Sequence, residues 1–208
     1  MAEMFQLPAR VGLRRRLLQL FPGLVACGVG LALMVRARLG LGPWDVLHQG
    51  LSERTALPMG TLVILVGFLV LLGWVPLRQR LGVGTLCNVV LIGLVIDAVL
   101  AVTPEPEGLA TRWACLLLGL MLMGLGSGMY IGAGLGPGPR DGLMTGLAAR
   151  GYSLRLVRTL IELTALGGGW VLGGTVGVGT LLFAVGIGPL VQLFLGRMTI
   201  PALPATAE

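Results

Sequence analysis

The chain has 208 residues, of which 55% are hydrophobic and only 12% charged. Its mean hydropathy is +0.92, which excludes a soluble domain. All 15 basic residues are arginines, and the net charge is +6. Their distribution along the chain, described below, reads as topogenic charge rather than a nucleic-acid footprint.

In chain order, six spanning segments are predicted: Leu17–Val35, Met59–Val75, Leu81–Val102, Trp113–Ala133, Leu154–Leu172 and Val176–Leu195. Each approaches the ~20 apolar residues that cross a ~30 Å hydrocarbon core. Arg14-Arg15-Arg16 ahead of the first segment gives it the look of a signal peptide. Since further spans follow, and no soluble domain, a retained first helix is the better reading. With a cytoplasmic N-terminus, Arg10, Arg14, Arg15, Arg16, Arg78, Arg80, Arg140, Arg150, Arg155, Arg158 and Arg197 lie inside or at the inner boundary. Only Arg36, Arg38, Arg54 and Arg112 lie outside, so both termini are expected in the cytoplasm. Cys27, Cys87 and Cys115 all fall within spans, where cysteine behaves as a small apolar residue, and His48 is the sole histidine. Neither a disulfide, a metal site nor a cofactor is expected.

The sequence repeats itself. Leu39-Gly40-Leu41-Gly42-Pro43-Trp44-Asp45-Val46-Leu47 returns as Leu135-Gly136-Pro137-Gly138-Pro139-Arg140-Asp141-Gly142-Leu143 at a constant offset (141 − 45 = 96). Gly28 and Gly30 match Gly124 and Gly126, and Gly82-Val83-Gly84-Thr85-Leu86 matches Gly177-Val178-Gly179-Thr180-Leu181. The chain therefore reads as one transmembrane domain, residues 1–208, with repeats at about 17–102 and 111–195. Three spans per unit is an odd number, so the second copy enters the membrane from the opposite side. The expected fold is all-α, six transmembrane helices in two inverted repeats, each with a short helix opened by Gly-Pro.

Those short helices are the natural place for a site. Glycine permits the turn, and proline suits the first turn of a helix. Trp44–Arg54 and Arg140–Arg150 follow, each about half a bilayer long, ~16 Å at 1.5 Å per residue. Either they are re-entrant half-helices pointing towards the midplane, or they lie amphipathically in the interface. Asp45 and Asp141 each sit two residues after the proline. An acid there complements the helix dipole and caps free amides; alternatively, the two carboxylates line one cavity and bind a cation or proton. Gly42, Pro43, Trp44 and His48, with Gly138, Pro139 and Arg140, complete the candidate site. Arg36 and Arg38, which replace Gly132 and Gly134, either snorkel to the interface or guide an anion to the outer mouth.

Four further polar residues lie within spans. Asp97 and Gln192 occupy matching positions and suggest a shared role, such as hydrogen bonding across the repeat interface. Glu162 lies four residues beyond Arg158, a spacing that predicts an ion pair, with a proton relay as the competing reading. Asn88 is placed to bond between helices, while Trp74, Trp113, Trp170 and Tyr130 read as interface anchors or packing groups.

The run from Gly40 to Ser52, with Gly82-Val83-Gly84-Thr85 downstream, resembles the YczE family of bacterial integral membrane proteins. That family is more distantly similar to the YitT-type proteins, whose additional C-terminal soluble domain has no counterpart here. The likeness covers roughly 17–195 and implies a multi-pass protein of the bacterial cytoplasmic membrane. It implies no substrate and no catalytic residues. The sequence contains no Gly-x-Ser-x-Gly elbow, no phosphate-cradling loop and no His-Glu-x-x-His helix, so an enzyme is not expected. The expected function is a secondary transporter or channel, assembled as a homodimer, for a small polar or charged solute. The alternative is a scaffold or substrate-capturing subunit of a larger complex.

Overall fold

The computed structural model describes residues 5–6 and 12–201. Arg10 and the last seven residues lie outside them. The described chain is helical: α1 Leu13–Ala37, α2 Pro43–Thr55, α3 Met59–Leu77, α4 Val83–Val102, α5 Leu109–Gly132, α6 Pro139–Ala148, α7 Leu154–Val171 and α8 Val178–Met198. Two residue pairs, β1 Phe5–Gln6 and β2 Leu81–Gly82, form a parallel ladder that lays the N-terminal segment beside the start of α4.

Five helices, α1, α3, α4, α5 and α8, are long and apolar enough to cross a membrane, so the protein is multi-pass. The fifth predicted span corresponds to α7, which has 18 residues but carries Arg155, Arg158 and Glu162. Hydropathy alone leaves it below the other five. Its charges have a local reason, because Arg158 and Glu162 line the internal cavity described below.

Glycine determines how the long helices meet. In α1 and α5, Gly23 faces Gly126 and Gly30 faces Gly119, so the two helices run antiparallel. Each pair of glycines is seven residues apart, two turns along one face. A Cβ on Gly30 would stand 2.6 Å from the Gly119 carbonyl oxygen, an approach only glycine allows. α4 then packs on α1 through Gly28 and Val95, and α8 packs on α5 through Gly124 and Leu190. The short helices cross over: α2 packs on α7, and α6 on α3. Each also touches the helix that follows it, α2 on α3 and α6 on α7.

One partnership has no mate. α3 packs along α4, with Gly60 against Gly93 and Gly67 against Val89. Among the described residues, α7 makes no comparable packing with α8. Accordingly α7 buries only Val157, Ala165 and Gly169, and α8 only Gly179 and Thr180.

The two Gly-Pro loops tie the halves together. Gly40 (φ 114°) and Gly136 (φ 127°) take backbone angles that disfavour any side chain. Leu39 O, one residue earlier, accepts from Gly179 N at 2.7 Å; Leu135 O accepts from Gly84 N at 2.8 Å. Each loop thus satisfies a free amide in the first turn of the last helix of the other half. Thr85 Oγ1 adds a bond to Pro137 O at 2.7 Å.

Candidate functional site

Proline opens both short helices, and the residue before it is extended in both: Gly42 at φ −63°, ψ 156°, and Gly138 at φ −62°, ψ 155°. These matching entries aim the two first turns at a single cavity of about 570 Å³. Gly42, Pro43, Trp44, Asp45 and His48 line it from one side; Gly138, Pro139, Arg140 and Asp141 from the other. Val63, Val66 and Val70 of α3, Asn88 and Ile92 of α4, and Phe183 and Gln192 of α8 supply part of the remaining wall. A largely apolar pocket with a few converging polar groups is the usual form of a small-molecule site.

The cap positions are Gly42 and Gly138, and among the described residues the aspartate side chains bond to Arg140 and Tyr130 rather than to the amides of their own helices. The Asp45 carboxylate instead reaches across to the other half, where Arg140 Nη2 donates to Asp45 Oδ1 at 3.3 Å. The same guanidinium lies over the Trp44 ring, 5.1 Å from its centroid. Asp45 is only 1% exposed, and among the described residues its Oδ2 has no partner; the buried Nδ1 of His48 and Nε1 of Trp44 are likewise unpartnered there. His48 Nδ1 stands 3.7 Å from Asp45 Oδ1, beyond hydrogen-bond reach. Asp141 is exposed, and among the described residues its one hydrogen-bond partner is Tyr130, whose hydroxyl donates to Oδ2 at 3.5 Å. Asp45 and His48 therefore form the deep end, while Asp141, Arg158 and Gln192 form an accessible rim.

The remaining candidates separate. Arg158 Nε and Glu162 Oε1 form the ion pair that their spacing predicts, at 2.9 Å. Asn88 is buried against the cavity. Asp97 and Gln192 do not share a role: Gln192 faces the cavity, whereas Asp97 caps α3 within its own half. Its carboxylate accepts from Gly60 N at 2.6 Å, Thr61 N at 2.8 Å and Thr61 Oγ1 at 3.0 Å. A helix start with neither Ser, Thr, Asn nor Asp at its cap position needs such a partner from elsewhere. Arg36 is also away from the cavity. It donates to Leu100 O and lies 3.8 Å from Glu105, in a separate recess of about 170 Å³ shared with Arg38.

One contributor was read from the sequence as an interface anchor or packing group and not as part of the site. Trp74 is 1% exposed and donates from Nε1 to Pro139 O at 2.9 Å, fixing the start of α6. The signal that finds it is Gly73-Trp74-Val75 recurring as Gly169-Trp170-Val171 at the same offset as the Gly-Pro segments.

The chain is similar to several bacterial proteins. It is 40% identical over 179 residues to an uncharacterized protein of Haemophilus influenzae, covering 85% of this chain and 82% of the relative. It is 36% identical to the uncharacterized membrane protein YczE of Bacillus subtilis, covering 84% and 83%. A third relative, the uncharacterized protein YyaS of Bacillus subtilis, is 28% identical over 83% of this chain and 89% of its own. No solved structure matches. The chain belongs, over residues 14–196, to the family of unknown function DUF6198, among YczE-like membrane proteins.

Proposed function

We propose that this protein is a small secondary transporter or channel, with its solute site where the two Gly-Pro-x-Asp helices meet. One observation carries the reading: the first turns of both duplicated helices converge on one cavity, joined by the Arg140–Asp45 contact between the halves. Helix starts facing a cavity at a repeat interface recur among transport folds. A role in transport, rather than in catalysis, is the reading that this architecture favours.

The same proposal includes six crossings, with α7 as the fifth, and a second repeat inverted relative to the first. The antiparallel α1 and α5 and the matched crossovers α2–α7 and α3–α6 support it. Both termini then lie in the cytoplasm of a bacterial inner membrane, in line with the arginine distribution. In that orientation α2 is re-entrant from outside and α6 from inside, and the rim at Arg158 and Gln192 opens inwards.

Reconstitution into liposomes tests the proposal. Uptake or solute-induced current is measured for a panel of amines, amino acids, organic acids and inorganic ions. At least one solute should move through the native protein and not through Asp45→Asn or Asp141→Asn. If none moves and none raises the melting temperature, the accessory-subunit reading replaces transport, because a bound ligand necessarily stabilises the folded state.

A further inference from the structure

Resting on the assignment of the cavity as a solute site, we propose that its ligand is an organic monocation: an ammonium group held between Asp45 Oδ2 and Asp141, with an apolar body along α3 and Phe183. The charge lining the cavity is the first argument. Asp45, Asp141 and Glu162 supply three carboxylates against the two guanidiniums of Arg140 and Arg158, so one negative charge is in excess. Both guanidiniums are engaged, Arg140 with Asp45 and Trp44, and Arg158 with Glu162. An anion must break one of these pairs to find a counter-charge. A cation finds Asp141, whose one bond among the described residues is a long contact with Tyr130.

The second argument is independent of the charge count. Asp45 Oδ2 is an acceptor in a carboxylate 1% exposed, it has no partner among the described residues, and its residue lines the cavity. Such buried acceptors are normally satisfied, and an ammonium N–H is the donor that suits a carboxylate best. The neighbouring aromatic face already accommodates positive charge, as the Arg140 guanidinium over Trp44 shows. Val63, Val66, Val70, Ile92 and Phe183 form an apolar stretch of the remaining wall that suits hydrocarbon, beside the polar side chains of Asn88, Ser127, Tyr130 and Gln192. A bare inorganic cation would leave that wall without a purpose, and the described residues hold no cluster of three or more metal-ligating side chains.

The test compares hexylammonium, methylammonium, hexanoate and hexanol on the purified, detergent-solubilised protein, by melting temperature and titration calorimetry. Hexylammonium should bind saturably, at least tenfold tighter than each of the other three. Asp141→Asn should weaken it tenfold or more. Glu162→Gln, a change at the rim that leaves the buried pair intact, should weaken it less. Equal binding of hexanoate or hexanol overturns the cationic headgroup, and equal binding of methylammonium overturns the apolar body. An affinity unchanged in Asp141→Asn overturns the placement. Amine binding without flux in liposomes removes transport and leaves this site standing. Flux of an anion without amine binding does the reverse.

Discussion

The two halves of this molecule share a set of repeated motifs and are packed differently. In the first half α3 lies along α4; in the second, α7 stands off from α8. Trp74 is buried, and its counterpart Trp170 is 67% exposed. Asp45 is sealed beneath an arginine, while Asp141 faces an accessible rim. The first half thus behaves as a wall and the second as the open side of the cavity. Duplication explains the frame, and divergence explains the site. The clearest case is the position after the helix-opening proline of each copy, Trp44 in one and Arg140 in the other. These two side chains meet face to face. Two tryptophans there would leave both carboxylates without a cation, and two arginines would set like charges against each other.

The largest effect is expected from removing that asymmetry. Arg140→Gln leaves Asp45 buried without a counter-charge, which costs about 3–5 kcal/mol for a fully buried pair. The Arg140 side chain is 34% exposed, so a loss nearer ~2 kcal/mol is expected. Thermal unfolding in one detergent gives the value. The double variant Asp45→Asn/Arg140→Gln should recover most of the loss, because the stranded charge is gone. A double variant as unstable as the single one would mean that Arg140 contributes by packing on Trp44 instead.

Next comes a pair of glycines at the same repeat position. A methyl on Gly50 would run into the Gly169 carbonyl oxygen and the Leu172 Cβ, where α2 presses on α7. Backbone cannot yield there, so Gly50→Ala should destabilise by about 1–3 kcal/mol, the range for overpacking. On Gly146 the new methyl meets the Gln79 side chain at 3.0 Å and the Leu77 Cβ at 3.1 Å. Gln79 can swing aside, and alanine favours a helix over glycine by ~1 kcal/mol, so Gly146→Ala should be close to neutral. Equal losses at both positions would show that α6 is held as tightly as α2.

Much of this was legible because repetition and hydropathy are one-dimensional signals. The predicted spans fall within or beside α1, α3, α4, α5, α7 and α8, and the prolines mark the starts of α2 and α6. Convergence of Asp45 and Asp141 on one cavity was legible as one of two readings, since symmetry suggests it and helix capping competes. Both acids do sit in the first turn of their helices, where they complement the helix dipole, and both also line the cavity, so the two readings coexist. What could not be read was partner choice across the fold. Asp97 matches Gln192 in register, yet it serves the uncapped start of α3. Arg36 lies close in sequence to the Gly-Pro segment and is carried off by Leu100 O and Glu105. Neither outcome follows from spacing, because each depends on which helix arrives alongside.

Trp74 and Trp170 provide the finest version of the comparison. Both follow a glycine and precede a valine, so their local sequence is the same and only the surroundings differ. Trp74 fills the space over Gly142 and donates to Pro139 O. Phenylalanine in its place keeps most of the ring and loses the donor, leaving a buried carbonyl short of a bond; about 1–2 kcal/mol of stability should go. Trp170 presents its ring outwards, and Trp170→Phe should stay within ~0.5 kcal/mol, as surface changes do. The direction matters as much as the size. Because Pro139 opens α6, loosening Trp74 should also displace Arg140 and Asp141, so Trp74→Phe should weaken hexylammonium binding while Trp170→Phe leaves it unchanged. Loss of stability at Trp74 with full ligand affinity would show that α6 is positioned by its loop contacts with α4 alone.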